Sequence, residues 1–149
     1  METDITQIDS EILANRVAIL ATRGPDGRPQ QSAIWFIVED DKIKMSVSQS
    51  RQKYKNLVAD GRGTVLIFHP ESEHYYVEIR GDIEVTDDLD FAFADRLGPT
   101  KYATDMRSFD SPDARWAMLS LTPTKINVID VRGAAAQASA DFLGEVLDR

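Results

Sequence analysis

The sequence predicts a mostly β fold, a small β-barrel with helices at its periphery. Residues 42–48 and 75–85 alternate apolar and polar side chains, which is the period of a half-buried strand. Turn-forming segments such as residues 24–29 separate the strand-like runs. Short strands joined by tight turns are typical of a small barrel.

The predicted elements follow one another without a linker or an internal repeat. Apolar spacing predicts helices over residues 4–16, 50–60 and 87–97, and a possible helix in the tail 133–149. Strands are predicted over residues 17–22, 31–38, 42–48, 64–68, 75–85 and 116–131, the last interrupted at Pro123. Ser50 is the expected N-cap of the second helix, and Gly81 falls on the inward phase of its strand, which predicts a bulge.

Composition narrows the function classes. A chain of 149 residues is the usual size of a single domain, which we expect to span 1–149. The acidic start and the lack of a long apolar run predict a cytoplasmic protein that does not enter a membrane. The net charge of −8 disfavours nucleic-acid binding. With no cysteine and with His69 and His74 five residues apart in a loop, we expect no metal site.

One dense basic stretch stands out in this acidic chain. Arg51, Lys53 and Lys55 lie where a strand runs through hydroxyl residues into a predicted helix. Cations in the first turn oppose the helix dipole unless an anion lies among them, and the free amide groups there also attract an anion. The alternative interpretation is a solvated surface helix whose cations balance nearby acidic groups.

Three motifs, in this order and spacing, resemble a known superfamily. They are residues 24–30 (GPDGRPQ), 50–57 (SRQKYKNL) and 76–81 (YVEIRG). The chain resembles the split-barrel flavin-binding superfamily that includes pyridoxamine-phosphate oxidase, with the closest likeness to the oxidoreductases that use the deazaflavin coenzyme F420. The resemblance implies a homodimer of six-stranded split β-barrels of the FMN-binding type, with the cofactor in a groove at the subunit interface.

The resemblance also implies positions for the cofactor. Arg51 and Lys53 correspond to the phosphate clamp. The residues that line the approach to this clamp are Ser46, Val47 and Ser48. The residues whose backbone lies along the cofactor ring are Ser32, Ala33, Ile34 and Trp35. Trp35 has a second interpretation, as a core residue or a dimer contact.

The sequence departs from one branch of the superfamily. Pyridoxamine-phosphate oxidases carry a basic residue in the second strand, whereas residues 31–37 (QSAIWFI) contain no cation. This difference argues against pyridoxamine-phosphate oxidase activity. Both F420 and FMN present a flat ring and a phosphate; the acidic tail of F420 would favour Lys55, Arg28 or Arg62 near the pocket mouth. The closer likeness favours F420.

The function implied by the resemblance is hydride transfer between F420 and a small conjugated substrate. The alternatives are an FMN-dependent flavin reductase or oxidase and a protein that binds flavin or haem without turnover. The sequence identifies no catalytic acid or base. Lys101, Tyr102 and Arg107 either form an ordinary surface loop over 101–113 or reach the partner's cofactor. Arg80, which lies beside Glu78 on the outward face of its strand, is expected to form a cross-strand ion pair.

Overall fold

The fold is a curled antiparallel sheet with helices at its periphery, seen in a computed structural model that describes residues 3–149. Seven strands lie in the order β2-β1-β5-β6-β7-β4-β3. Their bounds are β1 Ala18–Arg23, β2 Pro29–Ile34, β3 Phe36–Glu39, β4 Lys42–Ser48, β5 Arg62–His69, β6 Ser72–Asp87 and β7 Trp116–Asp130. The predicted mostly β class is confirmed.

The two edges of this sheet are neighbours along the chain. β2 and β3 are the outermost strands, yet only Trp35 separates them in sequence. The sheet must therefore curl until its edges meet at Trp35. The predicted single strand over 31–38 is wrong at this point, because Ile34 pairs with Ala18 in β1 whereas Phe36 pairs with Met45 in β4. The break raises the expected six strands to seven.

A bulge bends the longest pair of strands. Arg80 pairs with Lys125 and Gly81 pairs with Pro123, so one residue of β7 is skipped between β6 and β7. This confirms the bulge predicted at Gly81, and it lets β7 continue through Pro123 as one strand. A Cβ atom at Gly81 would lie 2.2 Å from the carbonyl oxygen of Thr122.

The inside of the curl forms the core. Fully buried side chains from every part of the sheet meet there, including Leu20, Phe36, Ile43, Met45, Ile67, Ile79, Leu119 and Leu121. A second, smaller cluster gathers the segments that connect β6 to β7, and it comprises Phe93, Ala94, Leu97, Tyr102, Met106 and Trp116. The partly buried Trp35 packs against this second cluster.

The helices are shorter than the sequence predicts, except in the tail. They are α1 Ser10–Leu13, α2 Gln52–Ala59, α3 Ala92–Leu97 and α4 Arg132–Leu147, with 3-10 turns at Ile5–Gln7, Leu89–Phe91 and Met106–Phe109 and a π-helical turn at Gly98–Tyr102. The continuous helix expected over 4–16 is wrong, because Asp4 and Asp9 each cap a separate short helix. The helix expected over 87–97 is broken by left-handed backbone at Asp90 and Phe91.

The predicted loop 101–113 begins with two residues that pack into the fold. Tyr102 is buried, and its hydroxyl accepts a hydrogen bond from Phe36 N at 3.0 Å and donates one to Arg16 O at 2.6 Å. Lys101 Nζ donates to Phe36 O at 3.0 Å, and burial lowers the pKa of Lys101 to about 8. Arg107 is paired with Asp95 at 2.9 Å. Lys101 and Tyr102 therefore pack inside their own chain, unlike a surface loop.

Two surface features complete the fold. Arg80 Nε lies 2.9 Å from Glu78 Oε1 on its own strand, so the expected cross-strand pair is wrong. The tail is helical, and α4 leaves Phe142 and Leu147 largely exposed. Within residues 3–149, no helix is both long enough and apolar enough to cross a membrane.

Replacing Gly81 by Ala tests the bulge. The new methyl group would meet the backbone of Thr122, which cannot move without disturbing β7. We expect a loss of about 1–3 kcal/mol in the free energy of unfolding, measured by urea denaturation. Gly133→Ala in α4 is the control, since a Cβ there would meet no atom of residues 3–149 within 4 Å. An unchanged Gly81→Ala midpoint would contradict this account.

Candidate functional site

A cavity of about 430 Å³ opens at the seam of the sheet, between β2, β4 and the start of α2. All nine residues singled out from the sequence line it: Ser32, Ala33, Ile34, Trp35, Ser46, Val47, Ser48, Arg51 and Lys53. Further lining residues, which the sequence did not identify, are Val17, Gln30, Gln52, Met106, Phe109 and Trp116. The structure thus brings together segments that are separated by up to a hundred positions in the chain.

Two cations lie at the beginning of α2. Arg51 is the N-cap residue, in place of the predicted Ser50, and no side chain caps the helix. No acidic residue lies in the first turn. Lys53 is half-buried, and its Nζ atom lies 3.4 Å from Ala33 O in β2. Burial, and then the neighbouring Arg51, lower the pKa of Lys53. An anion at this position would offset the repulsion between Arg51 and Lys53, and it would accept hydrogen bonds from the free backbone amides at the start of α2.

A buried amide holds α2 in this position. Asn56 donates from Nδ2 to Thr22 Oγ1 at 3.0 Å and to Gln30 Oε1 at 3.1 Å. Its Oδ1 accepts from Gln52 Nε2 at 2.8 Å, and the adjacent Leu57 joins the main core. The Asn-Leu pair of the sequence motif therefore fixes α2 against β1 and β2, and so orients the two cations toward the cavity.

Two buried hydroxyl groups in the cavity wall have no hydrogen-bond partner among residues 3–149. They are Ser32 Oγ in β2 and Ser46 Oγ in β4. An unpaired buried hydroxyl costs about 1–3 kcal/mol relative to a paired one, so such groups need an explanation. Together with Arg51 and Lys53, they form a donor set that suits a phosphorylated, polar-edged ligand.

Aromatic side chains form one wall of the cavity. Trp35 stacks on Tyr102 with ring centroids 4.0 Å apart and planes 3° apart, and it meets Phe109 edge-on at 5.3 Å. Trp35 thus lines the cavity and packs against the second cluster at the same time. Its two sequence interpretations, cavity wall and core residue, are compatible.

A carboxylate lies at the hydroxyl groups that precede α2. Asp110 Oδ2 accepts hydrogen bonds from Ser48 Oγ and, at 2.9 Å, from Ser50 Oγ. These hydroxyls, a backbone bond from Ser111 and the charge of Arg51 lower the pKa of Asp110. Arg51 Nη2 also donates to Phe109 O at 3.1 Å. No local pattern links Asp110 to the basic stretch, because about sixty positions separate them in the sequence.

The three additional cations considered from the sequence do not line this cavity. Arg62 is held by Asp60 at 2.7 Å and lines a different groove. Arg28 lies near Asp26, and Lys55 is exposed on α2.

Solved structures share this architecture. An F420 reductase is 27% identical over 79% of this chain and 94% of its own, with a TM-score of 0.69. A conserved hypothetical protein from Mycobacterium tuberculosis is 24% identical over 91% of this chain and 92% of its own, with a TM-score of 0.66. A pyridoxamine 5'-phosphate oxidase-related, FMN-binding protein from Nostoc punctiforme is 15% identical over 83% of this chain and 78% of its own, with a TM-score of 0.59.

The family comparison covers most of the chain. No curated protein matches it at a significant level. The family described as pyridoxamine 5'-phosphate oxidase matches residues 5–130, which include the whole sheet and every residue that lines the cavity. The split-barrel fold expected from the motifs is confirmed, and this chain belongs to the pyridoxamine 5'-phosphate oxidase family.

Proposed function

We propose that this chain binds coenzyme F420 in the cavity at the sheet seam and acts as an F420-dependent oxidoreductase on a small conjugated substrate. The observation that carries the proposal is the convergence, in one cavity, of Arg51 and Lys53 with the unpaired hydroxyls of Ser32 and Ser46. The similarity to an F420 reductase over 79% of the chain supports the choice of cofactor.

In this proposal the anionic group of the cofactor lies at the start of α2. Arg51 offers a planar guanidinium that can form paired hydrogen bonds to phosphate, and Lys53 adds a second positive charge. Ser46, Val47 and Ser48 line the approach from β4. The donors are fixed in advance, because Asn56 anchors α2 and Lys53 reaches Ala33 O. Little ordering is then needed on binding.

The ring of the cofactor lies along β2 in this proposal. β2 is an edge strand, so residues 32–34 present one side of their backbone without a neighbouring strand. Ser32 and Ser46 can pair with polar atoms at the ring edge, while Ile34 and Trp35 supply apolar contact. When bound, F420 supplies the hydride chemistry, and the protein positions the two reactants.

The side chains that line the cavity are suited to binding and orienting the cofactor and the substrate. Among the residues that the structure describes, those lining the cavity include no carboxylate and no imidazole. We assign no catalytic residue. Trp35, Phe109 and Trp116 supply apolar side chains to the wall of the cavity.

FMN is the second candidate cofactor. A protein of this fold from Nostoc punctiforme is FMN-binding, and FMN also carries a phosphate and a flat ring. Paired fluorescence titrations of the purified protein with F420 and FMN distinguish the two cofactors. We expect tighter binding of F420. Tighter binding of FMN would identify FMN as the cofactor in place of F420, and binding of neither cofactor would refute the proposal.

We also propose that two copies of the chain form the working unit. Ala33 and Phe109 are exposed at the cavity, and the cavity itself is open to one side. A second copy covering this side would enclose a bound ring. Sedimentation equilibrium should give twice the monomer mass of 16.7 kDa, and a monomer at micromolar concentration would contradict the proposal.

Removing the guanidinium of Arg51 tests the anion site. Arg51→Ala loses a charge-assisted hydrogen bond, worth about 1.5–3 kcal/mol, so we expect affinity for FMN and F420 to fall by roughly tenfold or more. The matched control is Lys55→Ala, which removes the same charge from an exposed position of α2 outside the cavity. FMN affinity of the control should stay within about twofold of wild type. Equal losses in the two variants would indicate a general charge effect.

The lowered pKa of Lys53 predicts a pH dependence of binding. The cationic form of Lys53 attracts the anion, and this form is lost as pH rises through a pKa below the ordinary lysine value. Affinity should therefore decline at alkaline pH, measured by titration from about pH 7 to about pH 10. Arg stays protonated over this range, so Lys53→Arg should reduce the decline. An identical decline in both proteins would assign it to ionisation of the ligand.

A further inference from the structure

The structure already holds a carboxylate at the serine hydroxyls that precede α2. Asp110 accepts hydrogen bonds from the hydroxyls of Ser48 and Ser50. Ser48 is almost fully buried, at 2% exposure, and lines the cavity. The charge of Arg51 helps to stabilise the ionised carboxylate. Asp110 thus takes donors that would otherwise be available to an anionic ligand.

The residue before Asp110 reinforces this arrangement. Phe109 places its ring against Trp35 in the cavity, and its carbonyl oxygen accepts a hydrogen bond from Arg51 at 3.1 Å. Phe109 therefore lines the cavity, while Asp110 lies next to it at the hydroxyls of Ser48 and Ser50. The aromatic ring lies beside the apolar wall, and the carboxylate lies beside the donors.

The segment is anchored on both sides of these two residues. Upstream, Met106 is buried in the second cluster and Arg107 is paired with Asp95 at 2.9 Å. Downstream, Arg115 O accepts a hydrogen bond from Gln49 N at 2.8 Å. Between these anchors, Asp110 accepts hydrogen bonds from Ser48 and Ser50, and the carbonyl of Phe109 accepts one from Arg51. A ligand that takes over these donors would free the segment.

We infer that Asp110 is an internal occupant of the anion position, which a phosphorylated ligand must displace, so that Asp110 sets the affinity and the selectivity of the site. The inference rests on the proposed function for the location of the phosphate. Like charges repel, and the carboxylate and a phosphate cannot both accept hydrogen bonds from the same hydroxyls. The free energy needed to displace Asp110 therefore weakens the binding of a phosphorylated ligand. A ligand with the same ring and no phosphate does not compete with Asp110, so its binding is not weakened.

The alternative role for Asp110 is to hold Ser48 and Ser50 in place for the ligand. The two roles predict opposite results for Asp110→Asn, which keeps the side-chain shape and removes the charge. Competition predicts tighter binding of a phosphorylated ligand, and a positioning role predicts weaker binding. Asp113→Asn is the matched control, since it removes an exposed negative charge three residues further along the chain.

The test compares FMN with riboflavin, which has the same ring and no phosphate. We expect Asp110→Asn to bind FMN roughly tenfold more tightly than wild type, with riboflavin affinity unchanged to within about twofold. Asp113→Asn should change neither affinity beyond about twofold. Quenching of the fluorescence of Trp35 and Trp116, which both line the cavity, provides the readout. Unchanged or weaker FMN binding by Asp110→Asn would overturn the inference.

A second measurement separates failure of this inference from failure of the proposed function. If the wild-type protein binds neither F420 nor FMN, inorganic pyrophosphate is the probe and the shift in Tm is the readout. Asp110→Asn, with Asp110→Ala as a second variant, should then gain a larger upward shift than wild type does. Equal shifts in all three proteins would refute the competition, whatever the natural cofactor is.

Discussion

The site depends on holding two cations at the start of a helix where the helix dipole disfavours them. Lys53 is half-buried and has its pKa lowered by burial and by Arg51, so the arrangement costs free energy in the absence of an anion. Asn56 holds α2 in this arrangement, because its buried hydrogen bonds to Thr22 and Gln30 fix the helix against β1 and β2. Such strain without a structural benefit is typical of a binding site.

The curl of the sheet supplies the space beside these cations. β2 and β3 meet at Trp35, so the barrel is closed by the chain itself and not by a ladder of hydrogen bonds. The opening that remains at this seam is the cavity, and its walls come from an edge strand and an aromatic cluster. Beside this opening, Asp110 accepts hydrogen bonds from Ser48 and Ser50, and the charge of Arg51 contributes to the lowered pKa of Asp110.

Local patterns predicted much of this arrangement, and tertiary contacts account for what they missed. The bulge could be predicted because Gly81 is a glycine on the inward, otherwise apolar phase of its strand. Arg51 and Lys53 could be identified because their charges conflict with the helix dipole. The break at Trp35 depends on which strands β2 and β3 pair with, and residues 31–38 carry no local sign of it. The position of Asp110 depends on a contact across about sixty residues, which no spacing rule reports.

A crystal structure of the protein with F420 or FMN bound is the most direct test of the central claim, that the start of α2 is built to hold an anion. This account predicts the phosphate within hydrogen-bond distance of the Arg51 guanidinium and the Lys53 ammonium group, with the ring along residues 32–35 and Asp110 withdrawn from Ser48 and Ser50. A ligand bound elsewhere, with Asp110 still accepting from both serines, would contradict it.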